Sequence, residues 1–311
     1  MTKTTLREHW LRLRHCFALY SRLPQKNLAW SEEHRASLLL YFPLVGGAKF
    51  ALIVSSFLLA LRLIASLGFL DLALRAEAQL LTAIGICYNL HAFSGFMHLD
   101  GYLDWHDARA SNQGRELKLE IMADPHLGAF AVMRAIFYLI SEIALIFVLL
   151  RELVGPLSWL ATFNVPGGHP IASTATALLV YLLLGLWLGC VGATLYSFSG
   201  KLIYQLPAAK ASGMAQMLQD GARLNFARRL TWQSFFYWTL FLIPFFDFPF
   251  RPRALKLILL LLGILGLYLF EQFKRAQIMR LYGGITGDIC GHYLMQMEFS
   301  TLLFFVIILS F

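Results

Sequence analysis

Charge is what this chain has least of. Only 14% of its 311 residues are Asp, Glu, Lys or Arg, where a soluble domain carries about 25%. Apolar residues fill the deficit at 58%, and the mean hydropathy is +0.63. That balance excludes an ordinary soluble enzyme and points to an integral membrane protein. Cysteine is also scarce. Cys16, Cys87, Cys190 and Cys290 include no CxxC pair, so neither a zinc site nor a disulfide framework is expected, and the four read as small hydrophobes. Residues 1–37 lack an uninterrupted apolar core and a small-residue cleavage site, so no cleavable signal peptide is expected. No internal repeat, low-complexity tract or nucleic-acid motif is present. The net charge of +8 is therefore assigned to topology and anionic lipid, not to DNA or RNA.

What the chain does have is a series of apolar runs, each near the roughly 20 residues a bilayer needs. They fall at about 38–61 (interrupted by Pro43, Gly46, Gly47 and Lys49), 78–97, 128–150 (with Arg134 and Glu142), 171–196, 232–249, 254–271 and from Gly287 to the C-terminus. The expected fold is an all-α polytopic membrane protein of about seven transmembrane helices. Residues 151–170, with Pro156, Pro166 and a turn at Gly167–Pro170, are expected to form a loop, and 197–231 a polar segment. A Pro/Arg turn separates the fifth and sixth runs. Before the first run, Leu6, Trp10, Leu13 and Phe17 recur at helical spacing, with Arg7, Arg12 and Arg14 largely off that stripe. This predicts an amphipathic interfacial helix, ended by the Ser21–Pro24 segment. Two units are expected: a basic amphipathic segment over 1–37 and a single transmembrane domain over 38–311, which would carry any chemistry at its cytoplasmic acidic stretch, 98–128. With the N-terminus inside, eighteen Lys and Arg lie on the cytoplasmic face and six on the other, which favours that orientation.

The stretch from His98 to Gly128 breaks the apolar pattern with six carboxylates: Asp100, Asp104, Asp107, Glu116, Glu120 and Asp124. At about 100° per residue, Asp100, Asp104 and Asp107 fall within a roughly 60° arc of one helix face. Like charges so close repel, and proximity to the membrane sharpens the effect. A divalent cation relieves it, and all-oxygen donors suit Mg²⁺ or Mn²⁺. The plainer reading is a solvated acidic loop. His98 and His106 flank the aspartates as candidate bases or as carboxylate-orienting groups. Farther on, Gly283-Gly284-Ile285-Thr286-Gly287-Asp288 offers glycines able to take positive φ and present N–H groups to an anion, with Asp288 a further metal candidate. Taken alone, the segment reads first as a simple turn into a membrane helix. Arg115, Lys118 and Lys201 are candidate phosphate contacts. Glu142 and Glu298 are ionisable groups inside spans, with pairing of Glu142 to Arg134 or Lys49 as the structural alternative.

The segments HLDGYLDWHDA, LEIMADPHLG and GGITGD, together with Ser21–Pro24 and Phe42–Gly46, resemble the membrane-bound cobalamin synthase family, adenosylcobinamide-GDP ribazoletransferase. The resemblance is ordered along most of the chain. It implies a multi-pass enzyme of the bacterial inner membrane with its active site toward the cytoplasm. Such an enzyme uses Mg²⁺ to join α-ribazole, or its 5′-phosphate, to adenosylcobinamide-GDP with release of GMP. Carried onto this chain, the pattern implies Mg²⁺ ligands at Asp100, Asp104, Asp107, Glu120 and Asp288. Catalytic positions are Asp107, His98 and Asp124, and substrate phosphates fall to Arg115, Lys118, Gly283, Gly284 and Gly287. The chain departs from the pattern at Ala108, Leu117, Ala123, His126 and Met295. Three of these stand where the family often has Arg or Lys, and Lys118 is the nearest substitute. The rival readings are a CDP-alcohol phosphotransferase, whose motif lacks a match after Asp100-Gly101, and an ion-coupled transporter, which predicts matching halves and acids near the midplane. A homo-oligomer is compatible with the sequence but not required by it.

Overall fold

A computed structural model describes residues 6–23, 35, 37–64, 75–161, 170–219, 225–242 and 253–310. The first and middle parts of the basic segment (1–5 and 24–34), the turn at 167–169 and the Pro/Arg turn within 243–252 lie outside them. Among the described residues the chain is helical, with no strand beyond an isolated bridge between Ala208 and Ile285. In chain order the helices are α1 Leu6–Tyr20, α2 Phe42–Ile64, α3 Ala76–Phe93, α4 Met97–Ala110, α5 Arg115–Ile121, α6 Ala129–Ala161, α7 Pro170–Gln205, α8 Met214–Gln219, α9 Asn225–Leu242, α10 Arg253–Tyr282 and α11 Gly287–Ser310. A 3₁₀ turn at Leu38–Leu40 leads into α2.

Among the described residues, three segments are long and apolar enough to cross a membrane: Phe42–Ala60, Ala129–Glu152 and Leu182–Gln205. The bent pair α3 and α4 makes a fourth if taken as one span. Helices α9, α10 and α11 complete the bundle, but α9 and α10 carry Arg228, Arg229, Glu271, Lys274, Arg275 and Arg280 within the helix.

Two helices run farther than their apolar cores suggest. The expected loop after 150 is instead helical to Ala161, through Pro156. A proline removes one backbone bond, a loss that long membrane helices tolerate where local adjustment re-satisfies the carbonyl. Helix α7 likewise continues past 196 to Gln205, taking in Ser197, Ser199 and Lys201, all buried. Polarity ended the expected span there. The helix persists because the polar groups are answered: Ser197 donates to its own helix at Ala193, and Lys201 donates to Glu271 of α10 at 2.7 Å.

The bundle centres on α2 against α7. Gly46 and Gly47 face Gly189, Gly192 and Ala193, and a methyl at Gly46 would overlap the Tyr196 ring and the Gly192 carbonyl. Small residues let two membrane helices approach closely, so dispersion and packing replace the hydrophobic drive that lipid does not supply. Phe42, Tyr20 and Tyr196 extend this contact, with ring centroids 4.4 and 4.5 Å apart. Helix α1 is held by that aromatic link. His15, Cys16 and Tyr20 are buried, while Leu6 and Trp10 of the expected stripe are exposed. The face that packs inward is thus offset from the apolar stripe.

Candidate functional site

The acidic helix owes its position to a break. Helix α3 ends at Phe93, and α4 leaves it at 87°. Gly95 and Phe96 both take positive φ, at 63° and 62°. That conformation is natural for glycine and strained for phenylalanine. The bend turns α4 out of the α3 axis and lays it against α11. Gly101 makes that contact possible, since a side chain there would strike the Asp288 backbone, and Gly291 packs on His98 in the same way. Trp105 anchors the helix from beneath. It is fully buried, stacked on His292 at 4.3 Å and 4.6 Å from the Tyr282 ring.

This packing brings Asp100 and Asp104 of α4 together with Asp288 at the start of α11. Asp104 is half-buried, and its carboxyl is pushed up to about 7. Burial is the main cause, followed by the negative charges of Asp100, Asp288 and Asp107, with Lys210 opposing them. Asp100 is exposed. Asp107 sits on the same face, but its carboxylate accepts from the backbone N–H groups of Gly128 and Ala131. It therefore caps the N-terminus of α6, where orphan N–H groups and the helix dipole favour an anion. Thr286 caps α11 in the same manner, accepting from Ile289 N–H at 3.2 Å, and places Asp288 in that helix's first turn.

The glycine segment closes the other side. Ile285 N–H donates to Pro207 O at 2.8 Å, and Ala209 N–H donates to Ile285 O at 2.9 Å. The pairing carries Lys210 beside the aspartates. Gly283, at φ 64°, lies beneath the Arg115 guanidinium, which fills the space a side chain would need. Gly284 packs on the Pro207–Ala209 backbone, and Gly287 faces Met214. Arg115, Lys210 and the acidic face are thus gathered around one turn.

The remaining expected positions make no contact with this turn that the structure records. Asp124 is exposed and bound to His126, whose backbone N–H and ring hold its carboxyl below the usual range. Glu120 is exposed, and Lys118 is buried. His98 is roughly 200° round α4 from Asp100 and is buried against Gly291 and Tyr196. Burial drives its imidazole down to about 3, so it is neutral. Lys201 is committed to Glu271. Glu142 pairs with His91 at 2.7 Å and accepts from Cys87 at 3.3 Å, while Lys49 pairs with Glu298 at 2.8 Å. Neither of the partners anticipated for Glu142 is the one it has. Lys210 was missed because nothing in its local sequence links it to the aspartates; the pairing of 207–209 with Ile285 does so.

Among the described residues, Cys87, His91 and Glu142 form the one group of three His, Cys, Asp or Glu whose ligand atoms all lie within 4.8 Å. The hydrogen bonds above already satisfy that group. The acidic face is more open, made of oxygen donors alone, and short of positive charge. Such a set suits a hard cation that takes one or two carboxylates and completes its sphere with water or phosphate.

An all-helical membrane protein with uncompensated carboxylates, an arginine and a lysine around one glycine turn has the make-up of a membrane enzyme handling phosphates. The chain belongs to the family described as cobalamin-5-phosphate synthase, which it matches over residues 12–307. It is similar to the adenosylcobinamide-GDP ribazoletransferase of Lachnoclostridium phytofermentans, at 27% identity over 91% of this chain and 88% of that protein. The protein of the same name from Desulfitobacterium hafniense is 28% identical over 96% of this chain and 95% of its own length. The Clostridium perfringens strain 13 relative is 24% identical over 94% and 95%. No solved structure matches the chain.

Proposed function

We propose that this protein is a Mg²⁺-dependent transferase that joins α-ribazole, or its 5′-phosphate, to adenosylcobinamide-GDP and releases GMP, a late step of cobalamin biosynthesis. The carrying observation is the gathering of Asp100, Asp104 and Asp288, coupled by charge and without a salt bridge among the described residues, beside Lys210 and the Arg115–Gly283 contact. In the reaction a ribazole hydroxyl attacks the cobinamide-side phosphorus of the diphosphate. One P–O bond forms, the bond to GMP breaks, and the hydroxyl proton passes to a base. A carboxylate of the acidic face is at hand to accept it.

Asp100, Asp104 and Asp288 would hold Mg²⁺, which supplies charge neutralisation on the phosphate oxygens. Asp107 contributes by fixing the start of α6 against α4. Arg115 and Lys210 would orient the diphosphate, the arginine through its planar fork. Glu120, Asp124 and Lys118, on the segment that follows α4, would meet substrate once it is bound. The seven-span reading with α1 on the interface is supported by the apolar runs of the sequence, a site toward the cytoplasm by the lysine and arginine bias, and the bacterial inner membrane by the family resemblance.

Purified protein supplied with both substrates tests the reading. GMP should appear with Mg²⁺ and should stop when the metal is chelated. Turnover unchanged by chelation would remove the metal role, and no GMP from adenosylcobinamide-GDP under any condition would remove the reaction.

A further inference from the structure

A second polar site lies on the other side of α4. A cavity of about 270 Å³ opens between the last turn of α4 and the first turns of α6, lined by His106, Arg109, Ala110, Phe130 and Arg134. Its α4 residues are roughly 130° round the helix from the aspartates, at about 100° per residue. His106 is 91% buried by its 9% exposure, and its Nε2 has no hydrogen-bond partner among the described residues. A buried ring nitrogen without a partner is costly, and a water or a bound anion in the cavity would relieve it. Neither Arg109 nor Arg134 forms an ion pair among the described residues. Two guanidiniums and an unpartnered imidazole around one cavity make an anion site.

We propose that this pocket binds a phosphate group, held by Arg109 and Arg134 with His106 Nε2 as the third contact. Guanidinium matches phosphate oxygens in geometry and charge. A phospholipid headgroup and a soluble phosphate share this chemistry. The surroundings favour the headgroup, because Phe130, Met133 and Phe137 form an exposed apolar stripe on α6 beside the cavity, at 72%, 53% and 64% exposure. Basic pockets between membrane helices take anionic headgroups in this way. The bound phosphate would bridge α4 to α6 at the junction where Asp107 holds the Gly128 N–H.

The test measures binding and uses no turnover, so it stands whether or not the transferase reading does. The full chain, delipidated in detergent, is titrated with phosphatidylglycerol and phosphatidylcholine by native mass spectrometry, and with inorganic phosphate by calorimetry. Phosphatidylglycerol should bind more tightly than phosphatidylcholine. Arg109→Gln and Arg134→Gln should each weaken it by about tenfold or more, the worth of one hydrogen bond to a charged group, and Arg134→Lys should keep most of the affinity. Inorganic phosphate binding that is lost in the same variants, with lipid binding unmoved, assigns the pocket to a soluble phosphate. If Arg109→Gln/Arg134→Gln, with wild-type helicity, binds all three probes like the wild type, the proposal is wrong.

Discussion

Lys49 with Glu298, Lys201 with Glu271 and His91 with Glu142 each meet inside the bundle at 2.7–2.8 Å, nearly shut off from water. On the outer face of α4 the opposite holds: Asp100, Asp104 and Asp288 are gathered with one another, and the nearest relief is Lys210. The interior pairs answer a requirement of the membrane, where an unpartnered charge is expensive. The acidic face raises the energy of the folded chain and supplies no pairing in return. A cluster that costs stability is explained by what it would bind, so the proposed site is assigned here and not to the buried pairs.

The contrast can be broken from either side. The largest effect should come from removing half of an interior pair. Lys49→Met leaves Glu298 buried and uncompensated, at a cost of about 3–5 kcal/mol, while Lys49→Met/Glu298→Leu should recover most of the loss. Unfolding in mixed micelles measures both, and a single variant as stable as the wild type would show that water reaches the pair.

Next comes Asp100→Asn, on an exposed turn where stability should hold. Turnover should fall by about 10²–10³, the usual worth of one electrostatic stabiliser. Adding Asp288→Asn should cost little more, since members of one unit are not additive. Multiplying losses in the GMP assay would mean that the two carboxylates act separately.

The smallest effect belongs to Lys210→Ala. Losing a contact made equally in ground and transition states raises KM and leaves kcat alone. KM for the GDP-bearing substrate should rise by roughly tenfold, near the value of one charged hydrogen bond. An unchanged KM would restrict Lys210 to tempering the aspartates.

Much of this site was legible because helical spacing is arithmetic. Asp100, Asp104 and Asp107 share a face in the sequence and share it in the helix. The glycine segment and Arg115, far apart in the chain, do meet. What spacing could not show was which of the three aspartates is already occupied. Asp107 caps α6 through Gly128, a contact set by where α6 begins. Nor does a phenylalanine announce a left-handed turn, yet Phe96 adopts one and so helps turn the acidic helix through 87°. The helix ends were misjudged where polarity looked like a terminus. Lys201 falls in the polar segment expected beyond the fourth span, yet the helix carries through it because Glu271, on another helix, supplies its partner. Pairings across the bundle are tertiary facts, and periodicity along one helix carries no record of them.

The central claim, that the acidic face is a strained binding site and not a structural feature, is tested most directly by Asp104→Asn. The carboxyl of Asp104 is raised from 3.8 to about 7 in the folded protein. The folded state therefore holds that proton more tightly than the unfolded chain, and its ionisation lowers stability progressively as pH climbs from about 4 through 7. Without metal, Asp104→Asn should melt above the wild type at pH 8, with the gap closing toward pH 4. Mg²⁺ should stabilise the wild type and not the variant, and the variant's GMP release should collapse. Equal melting temperatures at every pH, together with wild-type turnover, would contradict the account.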